Sequence, residues 1–159
     1  MLSVWGYTDP IITVDFASLY PSLMRSWNLS PDTLLTDHAA ERVPHSSITT
    51  PDGRALKFVA TSHVQGLMPR ILTELLGERK RVKRAMNAET NTFKRDLLNA
   101  KQLALKISAN SVYGACGATK GLIQAREVAE ATTTAGRDVI GFTKKVVEST
   151  FSIPGCTVV

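Results

Sequence analysis

Asp15-Phe16-Ala17-Ser18-Leu19-Tyr20-Pro21-Ser22 directly follows the β-branched and apolar run Ile11-Ile12-Thr13-Val14. The order predicts a strand ending in a carboxylate, then a tight turn, then a proline able to open a helix. Strand alternation places Ile12, Val14 and Phe16 on one face, with Ile11, Thr13 and Asp15 on the other. A carboxylate at the end of a buried strand needs a partner, because an unpaired buried charge is costly. A divalent metal, an arginine or a helix N-terminus would each serve.

Outward from this stretch the pattern changes several times. Residues 1–10 read as a loop entering the first strand, with Gly6 and Asp9-Pro10 as turn signals. Leu23 to Trp27 reads as a short helix. Residues 28–65 are loop-rich, carrying Pro31, Pro44, Pro51 and three irregularly spaced histidines that do not read as metal ligands. Within them Ser47–Thr50 and Ala55–Thr61 flank Pro51-Asp52-Gly53 as a hairpin, in a region expected to be peripheral. From Leu67 the period becomes helical, with Ile71, Leu72, Leu75 and Leu76 on one stripe before the pattern turns basic through Met86. A turn at Thr90-Asn91-Thr92 separates this helix from a second, Asp96 to Tyr113, giving an antiparallel helical hairpin. Gly114, Gly117 and Gly121 follow as helix-ending residues. A third helix is expected from Arg126 to Thr150, with Val128, Ala131, Ala135, Val139, Phe142 and Val146 at helical spacing. Ile153–Val159 begins what reads as another strand.

The 159 residues are 43% hydrophobic and 21% charged, enough for one domain with a core, and they contain no long uncharged apolar stretch. Cys116 and Cys156 match no metal-ligand spacing and read as free thiols of a reducing compartment. The formal charge of +5 is unevenly placed: residues 78–106 carry nine basic side chains against three acidic ones, leaving the remainder near neutral. Alone, such a run reads first as a solvated helix surface.

Within the second helix, Lys106, Asn110 and Tyr113 stand at i, i+4 and i+7, with Gln102 one turn earlier; in the first, Arg79 and Lys83 are four apart. Two helices presenting cations to a common cleft could hold a triphosphate. Each spacing alone is common, and Tyr113 by itself reads equally as an interface aromatic.

Together, Asp15–Ser22 and Lys106-Ile107-Ser108-Ala109-Asn110-Ser111-Val112-Tyr113-Gly114 resemble the first and second polymerase motifs of family B DNA polymerases, of the delta-like or large DNA-virus type. Arg79-Lys80-Arg81-Val82-Lys83 resembles the basic patch on that family's first fingers helix. Thr132–Val147, with Gly136-Arg137, resembles the palm helix that follows. Asn28-Leu29-Ser30-Pro31-Asp32-Thr33 is also similar to archaeal members.

The resemblance implies an α+β fold: a partial polymerase palm of strand and helix pieces, with an antiparallel two-helix fingers hairpin. Residues 1–65 would be the first palm part with a loop-rich insertion, 66–118 the fingers, and 119–159 the second palm part. It implies a DNA-directed DNA polymerase that adds deoxynucleotides to a primer 3′ end, using two Mg²⁺ ions about 4 Å apart. Asp15 would be a catalytic, metal-binding aspartate, with the Phe16 carbonyl as a further metal ligand. The N–H groups of Ser18, Leu19 and Tyr20 would touch the triphosphate. Pro21 would hold Tyr20 extended, its ring under the sugar as a gate against a ribose hydroxyl. Arg79, Lys83 and Lys106 would bind phosphates, Asn110 and Tyr113 would line the nascent base pair, and Tyr113 and Gly114 would lie near the duplex.

Primer–template DNA and deoxynucleoside triphosphates are the implied partners, with no membrane; clamp or accessory subunits are not readable. The implied location is intracellular, with a nucleus or viral replication site before a prokaryotic cytoplasm. The chain departs from the family pattern in lacking its second aspartate motif. The chain therefore reads as an internal palm–fingers–palm piece, inactive in isolation. A catalytically silent nucleic-acid-binding module, in which the basic hairpin merely grips phosphates, is the competing class.

Overall fold

The computed structural model describes residues 13–118, 120 and 123–150. In chain order it contains α1 (Leu19–Ser26), a 3-10 turn at Pro31–Thr33, β1 (Leu34–Leu35), α2 (Asp37–Ala40), β2 (His45–Thr49), β3 (Ala55–Val59), α3 (Leu67–Ala88), α4 (Thr92–Gly117) and α5 (Arg126–Thr150). The fold is mixed, helices with one three-stranded antiparallel sheet of order β1-β3-β2. The strand expected before Asp15 is not seen: Ile11 and Ile12 lie outside the described residues, and Thr13–Phe16 join no ladder. A strand exists only through a pairing partner, and the described strands pair among themselves. The strand expected at Ile153–Val159 lies outside the described residues.

The hairpin forms where its turn residues require it. Gly53 takes φ +85°, a left-handed conformation that favours glycine, while the Thr50 N–H donates to the Arg54 carbonyl at 2.8 Å. The resulting register sets Ile48 opposite Leu56 and Ser46 opposite Phe58, and Ile48, Leu56 and Phe58 are all buried. This corrects the peripheral reading of residues 28–65, since Phe58 is 0% exposed and joins the main core. Its partners there include Met24, Leu29, Met68, Leu72, Ala109, Cys116, Val128, Ala131 and Ala135, drawn from four helices and the loop after α1. At the surface, Arg54 grips Glu130 of α5 with a fork of 2.8 and 3.0 Å. Exposed pairs of this kind are screened by solvent and add little to stability.

Helix α1 ends and α3 begins at one polar node. Asn28 follows the last turn of α1 in the left-handed conformation, φ +56°, and the Leu29 N–H returns 2.8 Å to the Met24 carbonyl, closing the helix end. The Asn28 side chain is buried yet fully used. Its Nδ2 donates to the carbonyls of Val59 (2.7 Å) and Val64 (2.9 Å), and its Oδ1 accepts from the Gly66 N–H (2.8 Å). Gly66, the residue before α3, has no capping side chain of its own. The cap comes from the 28–33 loop: Asp32 Oδ2 accepts from the Leu67 N–H at 3.0 Å, and Ser30 Oγ accepts from the Met68 N–H at 3.3 Å while donating to Asp32. A Cβ at Gly66 would lie 2.7 Å from Thr33 Cγ2 and 2.9 Å from Ser30 Cβ, so the close approach requires glycine.

Helices α3 and α4 run antiparallel, because contacts pair rising numbers with falling ones: Met68 with Cys116 (3.4 Å) and Glu78 with Lys101 (3.0 Å). Helix α4 begins at Thr92, earlier than expected, because Asn91 Oδ1 caps the Lys94 N–H at 3.0 Å. Several large apolar residues of the long helices face outward. On α4, Leu97, Leu103 and Ile107 are exposed, and on α5 so are Phe142 and Val146. The small Ala109 and the thiol of Cys116 are the buried residues of α4, so the two helices approach through compact side chains. Among the described residues no helix is long and apolar enough to cross a membrane.

Two outcomes test this node. Asn28→Ala strands two carbonyls and one N–H, and urea unfolding should show a loss of about 3 kcal/mol; a loss below about 1 kcal/mol contradicts the arrangement. Burial pushes the Asp32 carboxyl up, but the Ser30 hydroxyl, the Leu67 N–H and the nearby Arg70 charge outweigh it and leave it below 3.8. A depressed carboxyl stabilises the fold above its unfolded value and loses that contribution as pH falls. The stability gap between the native chain and Asp32→Asn should therefore be constant above about pH 5 and close as pH falls below 3.8.

Candidate functional site

The turn from Ala17 to Leu19 makes the centre of the site. Ser18 adopts φ +56° and ψ +57°, a left-handed conformation uncommon for a non-glycine residue. The turn is held by Ser22, whose hydroxyl donates to the Ala17 carbonyl at 3.2 Å and whose N–H donates to the Ser18 carbonyl at 2.9 Å. Pro21 occupies the third position of α1, where a missing N–H costs no intrahelical bond. Tyr20 is accordingly helical rather than extended, which corrects the expected effect of Pro21: the first turn of a helix accommodates proline, and the pre-proline restriction yields to it.

Two contacts bring distant residues onto this turn. Arg79 Nη1 on α3 donates to Ser18 Oγ at 3.1 Å, and its Nε reaches Gln102 Oε1 on α4 at 3.4 Å. The ring of Tyr20 stacks on that of Tyr113, centroids 4.5 Å apart and planes 29° from parallel. Such offset stacking adds about 0.5–1.5 kcal/mol beyond area burial. Burial, with Tyr20 and Cys116 beside it, pushes the Tyr113 phenol above the usual range. The turn, α3 and α4 thus converge through Ser18, Arg79, Tyr20, Tyr113 and Gln102.

Other expected site residues are near this centre in sequence but make no such contact. Asp15 is exposed and Phe16 half-buried just before the turn. Lys83, Lys106, Asn110 and Gly114 are exposed on α3 and α4. Charge on the hairpin is partly spent: Glu78 takes Lys101 at 3.0 Å and Arg81 at 2.8 Å, and the Lys101 hydrogen bond and charge, then Arg81, hold its carboxyl below the usual range. Arg79, Lys83 and Lys106 have no carboxylate partner among the described residues, so their charge stays available to an anion.

Among the described residues no three His, Cys, Asp or Glu side chains group to hold a metal. Divalent cations of the Mg²⁺ type take about six oxygen ligands. Asp15 and the Phe16 carbonyl offer two, so the described residues fit a share of such a site and do not complete it.

Asn28 and Asp32 stand out in the sequence only as part of a stretch similar to archaeal members, and Gly66 not at all, yet these three set where α3 points. The alternation of small polar residues from Asn28 to Thr33, before a glycine and a helical period, was the available signal.

A sequence model described as DNA polymerase family B matches residues 5–156. DNA polymerase delta catalytic subunits of Dictyostelium discoideum and Mesocricetus auratus are each 45% identical, over 148 and 152 residues. These alignments take in 92% and 93% of this chain but 13% and 14% of those subunits. The counterpart of Caenorhabditis elegans is 47% identical over 143 residues, 89% of this chain and 13% of that subunit. Among solved structures, a family B DNA polymerase from the archaeon Pyrobaculum calidifontis superposes with a TM-score of 0.68 at 32% identity, covering 82% of this chain and 17% of that one. The match over nearly the whole length, together with the mixed fold that the archaeal structure shares, places this chain in DNA polymerase family B.

Proposed function

We propose that the chain is the part of a DNA-directed DNA polymerase that receives the incoming deoxynucleoside triphosphate. The observation that carries this reading is the 3.1 Å contact between Arg79 of the cationic hairpin and Ser18 of the left-handed turn. It sets a guanidinium with no carboxylate partner among the described residues at the start of α1, where unpaired N–H groups already favour an anion. The chain spans 13–14% of the curated relatives' length, so the activity assigned here is that of a larger assembly of residues.

In this reading residues 1–65 and 119–159 belong to the palm and 66–118 to the fingers. The N–H groups of Ser18, Leu19 and Tyr20 receive phosphate oxygens, and Arg79 exchanges Ser18 Oγ for phosphate, a stronger acceptor. Lys83 and Lys106 add charge along the same hairpin. The Tyr20 ring, steadied by Tyr113, underlies the sugar and excludes a 2′-hydroxyl. Asn110, Tyr113 and Gly114 border the nascent base pair and duplex. Asp15 and the Phe16 carbonyl supply two oxygen ligands toward Mg²⁺, which when bound polarises phosphate and the attacking hydroxyl. The partners are primer–template DNA and deoxynucleotides. A silent phosphate-gripping module would have no use for two stacked tyrosines at the anion site, and no observation favours it.

In the polymerase that carries this segment, Asp15→Ala should lower nucleotide incorporation roughly 100- to 1000-fold, read by primer extension, while primer–template affinity is retained. Arg79→Ala should weaken deoxynucleotide use with little change in DNA affinity. Tyr20→Ala should raise ribonucleotide incorporation relative to deoxynucleotide. Full synthesis by Asp15→Ala, or unaltered sugar discrimination by Tyr20→Ala, overturns the corresponding assignment.

A further inference from the structure

Helix α5 contributes none of the groups assigned above to the nucleotide, yet one of its residues governs where the Tyr20 ring can lie. Gly136 is buried in the middle of α5, at its contact with α1. A Cβ built there would lie 3.3 Å from Tyr20 Cε1, 3.6 Å from Leu23 Cδ1 and 3.9 Å from Leu19 Cδ2. The first distance is closer than carbon atoms comfortably approach, so a methyl group must displace the ring by a few tenths of an ångström. The ring is not free to yield at will, because Tyr113 stacks on it with centroids 4.5 Å apart.

The glycine is expensive for the helix. In a helix interior Gly is distinctly less favourable than Ala, because it has more backbone freedom to lose. Nothing about its backbone requires it, since its φ is not in the left-handed region. Gly141, one turn and a residue further on, has open space around its Cα and shows what a helical glycine without this contact looks like. The difference between the two is the packed face of α1, whose nearest atom to Gly136 belongs to the Tyr20 ring.

We infer that Gly136 is a positioning residue for sugar selection: its missing side chain leaves the seat in which Tyr20 is held against Tyr113. This rests on the reading of Tyr20 as the group beneath the sugar. A group that discriminates by clash works only if it cannot retreat, so its selectivity depends on what stands behind it as much as on its own bulk. Here the backing is the stacked Tyr113 ring together with the bare backbone of α5. A methyl at position 136 unseats the ring without touching substrate.

The test uses the polymerase that carries this segment, with four variants: Gly136→Ala, Gly141→Ala, Tyr20→Ala and the double variant Gly136→Ala/Tyr20→Ala. For each, kcat/KM is measured for a deoxynucleotide and its ribonucleotide. Gly136→Ala should lower the deoxy-to-ribo ratio by roughly fivefold, given that misplacement by a full ångström can cost about 100-fold. Gly141→Ala should leave the ratio unchanged. Tyr20→Ala should lower it further, and adding Gly136→Ala to it should change nothing more, because the ring on which the methyl acts is gone.

A fall in both rates together, with the ratio constant, is the behaviour of a purely structural residue and overturns the inference. An equal fall in the ratio with and without Tyr20 overturns it as well. If Tyr20→Ala itself leaves the ratio unchanged, the reading of Tyr20 fails, which is a distinguishable result. Should Gly136→Ala melt too low to assay, the Tyr20→Ala background supplies the missing room. Recovery of the melting temperature in the double variant supports the contact, and failure to recover overturns it.

Discussion

Asn28, just past the end of one helix, ties the end of a strand, the loop after it and the start of another helix together through three side-chain hydrogen bonds, two of them buried and one partly so. The architecture of the site follows from this. Because the amide is satisfied on both its donor and acceptor sides, α3 cannot shift relative to the sheet without stranding polar groups out of water. Because the same residue closes α1, the left-handed turn at the other end of that short helix is placed by the same constraint. The two partners of the Ser18–Arg79 contact, 61 residues apart in sequence, are thereby referred to a common origin. Asp32 and Ser30 reinforce the arrangement by capping α3 from outside, a service that Gly66 cannot perform for itself.

On the hairpin, charge and packing are distributed in opposite senses. Core contacts gather at its root, where Met68, Leu72, Ala109 and Cys116 meet the core, with Val82 buried further out, while cations without a carboxylate partner begin about halfway along. Glu78 consumes two of the basic side chains nearby, leaving Arg79 directed at the turn and Lys83 and Lys106 exposed. A region meant to carry anions benefits from this division, since charge that was already paired would have to be freed before use.

Much of the helical layout was legible in the sequence. The span of α5 matches the expected Arg126–Thr150, and the turn around Asn91 was marked by its own capping chemistry. The hairpin around Pro51-Asp52-Gly53 was legible for the same reason, that local turn residues leave few alternatives. What failed depended on distant partners. Thr13–Phe16 have the composition of a strand but no described neighbour to pair with. The burial of Phe58 depends on helices far from it in sequence. The extended backbone expected for Tyr20 fails for a local reason, since the first turn of a helix accommodates the proline that follows it. At the site, the residue types of Arg79, Tyr20 and Tyr113 were visible in advance, and which of them meet was not. Gly136 was noticed only beside its arginine, because a missing side chain leaves no chemical mark until its neighbours are known.

The far half of the α3–α4 hairpin has one further consequence. From Lys83 to Leu98 no residue joins the buried cluster, and Phe93 is 78% exposed near the bend. Helix α3, at 22 residues, is about 33 Å long and anchored at one end. Its far end is therefore placed by the contacts near Gly66 and by packing along α4, where Val82 is the outermost buried residue of α3. A swing of about 10° would carry the bend about 6 Å while moving Arg79, roughly halfway out, by only about 3 Å. Such a swing would break the arginine's grip on the serine turn, and it would also drag Leu72, about 9 Å from Gly66, by roughly 1.6 Å through the core, so the packing at the root holds the contact in place.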